Sequence, residues 1–214
     1  MSVSLRYSVP GDEEALRALW REVFHDEERL IDAFFSLLYR PGSASLAEEE
    51  GKLVSAAYLL ELGELRYIYA VGTHPAYRGR GFGRAVTLHA AADRPAVLYP
   101  ASEALRCWYV DTMGAKELRS APCTLLPEGE SVRISACEYL LARERLLTGI
   151  PHAKLDEAYL RFFEQDGAFY RMGDRICALG SDGRVREALP GSGDGKPPLA
   201  LFGAEECYLG LYLD

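Results

Sequence analysis

Val71-Gly72-Thr73-His74-Pro75-Ala76-Tyr77-Arg78-Gly79-Arg80-Gly81-Phe82-Gly83-Arg84 joins an apolar, strand-like run to an amphipathic, helix-like one. Three glycines at alternate positions strip side chains from the turn, so its peptide N–H groups can close on an anion. The following helix adds unpaired first-turn donors and the positive end of its dipole. Arg78, Arg80 and Arg84 bring mobile positive charge to the same turn, in a chain whose formal net charge is -8. The stretch reads as a local phosphate site, with a pyrophosphate as the expected group.

Spacing narrows the ligand. A nucleoside-triphosphate loop needs Gly-x-x-x-x-Gly-Lys-Ser/Thr, which the chain lacks. The dinucleotide fingerprint Gly-x-Gly-x-x-Gly, begun at Gly79, needs glycine where Arg84 stands. What remains is Arg78-x-x-Gly81-x-Gly83 after Val71-Gly72-Thr73-His74-Pro75. That combination resembles the coenzyme A loop of the GNAT acyltransferases, Arg/Gln-x-x-Gly-x-Gly/Ala after a strand ending in Val-x-Pro. The resemblance implies an α/β (α+β) acyl-CoA N-acyltransferase fold, a mixed and mostly antiparallel sheet flanked by helices. It also implies acetyl-CoA as cosubstrate. Val71, Gly72 and Thr73 would offer backbone bonds to pantetheine, and Arg78, Gly79, Arg80, Gly81, Phe82, Gly83 and Arg84 would surround the pyrophosphate. His74 fills the variable position of the strand-end motif and is read as a turn residue.

The order of elements around the loop agrees. Residues 2–9 alternate as a first strand, and Pro10-Gly11-Asp12 turns the chain into a helix carrying Leu16, Leu19, Trp20, Val23 and Phe24 on one face. A second amphipathic helix carries Leu30, Ile31, Phe34 and Leu38, making with the first a lid-like layer. Residues 45–49, 53–62 and 65–73 then read as an antiparallel meander, turned at Glu50-Gly51-Lys52 and Gly63-Glu64. A meander before the loop argues against a nicotinamide-binding parallel sheet. After the loop come a helix over 82–93, a buried strand over 96–99, and a helix from Ser102 to a Gly114 cap. Residues 118–126 and 131–137 read as a closing hairpin.

Residues 1–138 are thus expected to form the acyltransferase domain, and 139–214 a small C-terminal α+β domain, a shortened second half as in tandem acetyltransferases. In that part, 138–147 and 153–165 read as helices, and 168–172, 175–179, 184–188, 199–202 and 207–213 as strands of a small sheet. Gly191-Ser192-Gly193-Asp194-Gly195 has acidic neighbours and no following helix, so it is not a second phosphate loop. The tail would complete a wall of the acceptor cleft or an oligomer interface, which leaves open a homo-oligomer.

Composition bounds the rest. With 214 residues, 49% hydrophobic and 26% charged, the chain suits one large domain or one with an appendage. Net charge of -8 argues against a nucleic-acid binder and favours a cationic amine as acceptor, from a small molecule or a peptide. Five cysteines without Cys-x-x-Cys spacing read as reduced, mostly buried thiols of a cytoplasmic protein. Four scattered histidines predict no metal site, and no apolar run approaches membrane-spanning length.

Acetyl transfer to an amine needs a free amine, a polarised thioester and a proton for the leaving thiolate. In the family that resemblance invokes, the proton often comes from tyrosine in a Tyr-x-x-x-Gly-Phe pattern. Here Tyr109 lies one residue further from Gly114, with Val110 in the nominal position, so Tyr109 reads as acid or as a packing aromatic beside Trp108. The base is open: Glu61 and Glu64 flank the turn before the loop strand, each also readable as a surface acid, and in some tandem relatives a terminal carboxylate serves, here Asp214. Cys107 and Cys123 have no adjacent histidine or helix N-terminus and read as packing residues. An acetyl-CoA dependent N-acetyltransferase working by direct transfer is the leading function; the alternative is a non-catalytic acyl-CoA binding or sensor protein.

Overall fold

A computed structural model describes residues 3–213 apart from Asp93, Ser120, residues 192–195, Phe202 and Glu205. Strand β1 (Val3–Tyr7) leads into helices α1 (Glu13–Phe24) and α2 (Glu28–Leu37), then the meander β2 (Ala44–Glu49), β3 (Lys52–Leu62) and β4 (Leu65–Thr73). The helices form because their apolar residues recur on one face. Leu16, Leu19 and Trp20 of α1 and Ile31, Phe34 and Phe35 of α2 are buried. Trp20 holds this layer to the sheet, its ring 4.6 to 6.1 Å from those of Phe24, Phe34, Phe35, Tyr58 and Tyr69. The β2–β3 turn takes left-handed conformations at Glu50 (φ 53°) and Gly51 (φ 78°), the pairing that a two-residue hairpin loop needs.

After the glycine loop come α3 (Phe82–Ala90), β5 (Ala96–Leu98), α4 (Glu103–Met113) and β6 (Lys116–Glu117). The remainder supplies β7 (Ser131–Ile134), α5 (Ala136–Leu146), α6 (Glu157–Phe163), β8 (Gly167–Met172), β9 (Arg175–Gly180), β10 (Val185–Leu189) and β11 (Leu199–Leu201). The first sheet runs β1-β2-β3-β4-β5-β11-β6 and the second β10-β9-β8-β7. All their pairings are antiparallel except β4 with β5. This is the mixed, mostly antiparallel sheet flanked by helices that the sequence leads one to expect. Among the described residues no helix is long and apolar enough to cross a membrane.

Four local expectations give way. The 118–126/131–137 hairpin does not form: Pro122 interrupts the first segment's donors, and β7 pairs with β8 instead, setting Ile134 opposite the fully buried Phe169. Helix α6 starts only at Glu157, because Asp156 caps it by accepting from the Tyr159 N–H at 2.8 Å. Upstream, the Ala153 and Lys154 N–H groups bond to the Tyr208 and Leu62 carbonyls. Strand β11 joins the first sheet between β5 and β6, while β7 lies in the second, so each sheet takes a strand from across residue 138. Residues 207–213 are not a sheet strand. Alternate carbonyls, of Leu209, Leu211 and Leu213, accept from Arg143, Tyr159 and Tyr67 at 3.1, 3.0 and 3.0 Å. Side-chain donors take the place of a neighbouring strand. Asp214 lies outside the described residues.

A buried ion pair anchors this tail. Arg143 and Glu187 have no exposed side-chain surface and meet at 3.1 Å, and Arg143 also donates to the Ala153 carbonyl at 2.9 Å. Tyr139 donates its hydroxyl to Glu187; burial, foremost, pushes this phenol well above its ordinary pKa, so it keeps the proton it donates. Gly210 (φ 69°) passes so close that a Cβ there would sit 1.9 Å from Glu187 Oε1. Arg143→Met, which leaves Glu187 charged and buried, is expected to lower unfolding free energy by about 3–5 kcal/mol in urea denaturation. Adding Glu187→Gln, which removes the orphaned charge and still accepts from Tyr139, is expected to recover at least half of the loss.

Candidate active site

Strand β4 changes character halfway along. Its register with β3 runs to Tyr58↔Tyr69 and resumes at Ala56↔Gly72, three steps on β4 against two on β3. The extra residue is a bulge at which Ala70 is left-handed (φ 47°). Such a conformation costs roughly 1–2 kcal/mol without glycine. On the other side, β4 pairs with β5 only at Arg66↔Ala96 and Tyr67↔Val97. From Ile68 onward the two parallel strands part, leaving an unpaired edge on β4.

The glycine loop follows directly. His74 Nδ1 accepts from the Ala76 N–H at 3.2 Å and caps a single 3-10 turn, Pro75–Tyr77, which accounts for histidine at this position. Gly79 (φ 76°) and Gly81 (φ 85°) are both left-handed, and Gly81 is the N-cap of α3. Close approach fixes the other two glycines. A Cβ on Gly83 would lie 3.3 Å from Thr73 Oγ1, and one on Gly72 would lie 3.1 Å from Val23 and Phe24. The arginines are tethered, not mobile: Arg78 Nε donates to the Thr73 carbonyl at 3.1 Å, Arg84 Nε to the Thr112 carbonyl at 3.0 Å, and Arg80 pairs with Glu49. Their charge is held around a nest of backbone donors at a helix start. That geometry suits a pyrophosphate, and the unpaired β4 edge suits an extended amide-bearing arm.

A cavity of about 910 Å³ opens where the strands part. Ala70 and Val71 line it from β4, Tyr99 from beyond β5, and Tyr109 from α4. Helix α4 ends in a left-handed glycine cap. Gly114 (φ 68°) donates to the Val110 carbonyl, and Ala115 to that of Tyr109. On this helix Tyr109 is buried at the cavity while Val110 is 40% exposed. Burial also raises the Tyr109 phenol well above its ordinary pKa. The tail completes a wall: Tyr212 stacks on Tyr99 with ring centroids 3.5 Å apart and an interplanar angle of 10°.

The predicted carboxylates are elsewhere. Glu61 accepts from Arg66 at 2.8 Å and from Arg94 at 2.7 Å, outside the cavity lining. Glu64 lines a second cavity, of about 680 Å³, with Leu62, Glu144 and His152. Both acids flank the β3–β4 turn, and Leu65 to Val71 spans roughly 20 Å of strand. Glu61 lies opposite Arg66 in the β3–β4 pairing, and neither acid is among the residues that line the main cavity. Asp26, which sequence reasoning passed over, does line the main cavity. No spacing marks it; it is the second residue of a loop between two helices. Among the cysteines, Cys107 and Cys137 are exposed, against the expectation of mostly buried thiols.

Residues 13–94 match the acetyltransferase (GNAT) family. No curated protein matches the chain significantly. Among solved structures, a candidate acetyltransferase from Pyrococcus horikoshii aligns with TM-score 0.63 and 10% identity over 98% of this chain and 92% of that one. A GCN5-related N-acetyltransferase from Anabaena variabilis aligns with TM-score 0.63 and 14% identity over 87% of this chain. Another from Kribbella flavida gives TM-score 0.59 and 16% identity over 89%. The chain spans 58% of the length of each of the latter two. At these identities the likeness is one of fold, and the fold is that of the GNAT acyltransferases.

Gly81→Ala places a side chain on a left-handed helix cap with open space around it. The expected cost is therefore backbone strain alone, about 1–2 kcal/mol by denaturation. A loss of coenzyme A affinity in calorimetry is expected beside it, since relaxation of the strain turns the cap's N–H groups.

Proposed function

We propose that this chain, a GNAT-fold protein with an acetyltransferase family match over residues 13–94, is an acetyl-CoA dependent N-acetyltransferase. It transfers acetyl directly to a primary amine of a small molecule or peptide. The observation that carries the reading is the parting of β4 from β5 at Ala70, with Val71 and Tyr109 in the cavity so formed. Acetyl-CoA supplies the activated thioester. Val71, Gly72 and Thr73 hold the donor's arm through the unpaired strand edge. Gly79, Arg80, Gly81, Phe82, Gly83 and Arg84 hold its pyrophosphate through main-chain donors, with Arg78 bracing the loop against β4.

Direct transfer is supported by the surroundings of the thiols. Among the described residues no cysteine lines the cavity, Cys107 and Cys123 included, so no thiol nucleophile is placed there. Aromatic walls from Trp20, Phe24, Tyr69 and Tyr99 exclude water and hold the acceptor against the donor, which favours attack within a ternary complex. Tyr109, its phenol kept protonated by burial, is the group that returns a proton to the departing sulfur. The tail forms the acceptor-side wall through Tyr212.

Thiol release from acetyl-CoA, measured with phenethylamine, spermidine and a lysine-containing peptide, tests this. Turnover with at least one amine is expected, and tight coenzyme A binding without release across the panel would indicate a binding protein instead. Tyr109→Phe is expected to lower kcat by about 100-fold while leaving coenzyme A affinity unchanged in calorimetry. Because the folded-state phenol pKa lies above the ordinary value, its acid form persists as pH rises. Wild-type kcat should show no loss attributable to Tyr109 between about pH 7 and pH 10.

A further inference from the structure

With Glu61 and Glu64 held at the far turn, the cavity's own ionic groups decide where the amine's proton goes. Most are committed to one another or to groups outside the lining. Glu103 pairs with Lys196. Arg106 donates to Glu117 at 3.2 Å and to the Pro197 carbonyl at 2.7 Å. Arg184 and Arg186 lie 3.6 and 3.2 Å from Asp182. Asp26 differs. Among the described residues no cation pairs with it, and its contact is a hydrogen bond from Trp20 Nε1 to Oδ2 at 2.8 Å.

That bond fixes the carboxylate. Trp20 is 2% exposed and wedged among five aromatic rings, so its N–H points in one direction. The chain reaches Asp26 through His25, a non-glycine residue held left-handed (φ 60°, ψ 28°) at the end of α1. Strain of this kind persists only where surrounding structure enforces it. The last turn of α1 also abuts the donor strand, since Val23 and Phe24 fill the space a Cβ on Gly72 would need. Asp26 follows Phe24 by two residues and lines the cavity together with Ala70 and Val71. One oxygen is oriented by the indole, and the other is left to a ligand.

We infer that Asp26 is the catalytic base of the transfer, an inference that rests on the acetyltransferase reading above. The neutral amine's lone pair forms the C–N bond at the thioester carbonyl carbon, and its nitrogen becomes cationic. An N–H bond breaks as Asp26 takes that proton. The C–S bond breaks, its electron pair leaves with sulfur, and the sulfur takes the proton of Tyr109. The carboxylic acid then returns its proton through solvent to the phenolate, so charge and protons balance over a turnover. Trp20 is the positioning residue of this pair.

The test compares wild type, Asp26→Asn and Asp26→Glu by thiol release with the best amine of the panel, and by calorimetry. Asp26→Asn should lower kcat by about 100-fold or more, and Asp26→Glu should restore part of it. Coenzyme A affinity should be unchanged in both variants. Calorimetric binding of the same amine to the coenzyme A-loaded protein should weaken at least fivefold in Asp26→Asn, a readout independent of turnover. Wild-type turnover with Asp26→Asn within threefold in kcat overturns the role of Asp26 and leaves the acetyltransferase reading standing. No wild-type turnover overturns that reading and, with it, Asp26 as base, whatever the calorimetry shows.

Discussion

Beyond Tyr67, strand β4 has a strand partner on one side only. Everything that makes a site in this protein follows from that constraint. An unpaired strand edge inside a domain carries donors and acceptors that must be met, and the bulge at Ala70 turns this edge toward a cavity instead of toward β5. The glycine loop continues the same exposed main chain for another ten residues and ends it at the N-terminus of α3. Backbone groups, not side chains, thus dominate this side of the candidate site. This is why glycines dominate it and why the arginines are tied back to Thr73, Glu49 and Thr112.

The opposite wall is built on a different principle. Residues 207–213 reach the cavity as an extended segment outside both sheets, its Tyr208 bridged by main-chain bonds to Pro151 and Ala153. Arg143, Tyr159 and Tyr67 donate to its alternate carbonyls from three separate parts of the chain. Burying an arginine is costly unless it is paired and hydrogen-bonded, and here each guanidinium nitrogen has a partner in Glu187 or in the Ala153 and Leu209 carbonyls. The tail is locked by Arg143, Tyr159 and Tyr67, each donating to a main-chain carbonyl. Tyr67 carries both walls at once: it is the last β4 residue paired with β5 and the donor to Leu213.

Glu61 and Glu64 lie close in sequence to the loop strand, yet neither lines the main cavity, and Arg66 and Arg94 pair with Glu61 where it stands. Asp26 is over forty residues from Ala70 and Val71 and lines one cavity with them, because α1 packs its last turn on Gly72. On α4 the helical turn faces Tyr109 inward and Val110 outward.

Local chemistry is what the sequence by itself determined. Hydrophobic periodicity set α1, α2 and the meander, glycine spacing marked the loop before α3, and Ser102 and Gly114 bounded α4, since each signal resides in neighbouring residues. Tertiary structure alone decided where chain ends and side chains meet. Strand β11 entered the first sheet beside β5, β7 paired with β8 when Pro122 broke its expected partner, and residues 207–213 took side-chain donors in place of a strand. Only folding brought Asp26 to Val71. Backbone propensity acts over a few residues, whereas burial of unpaired polar groups and packing of α1 on Gly72 act across the whole chain, and no local pattern records them.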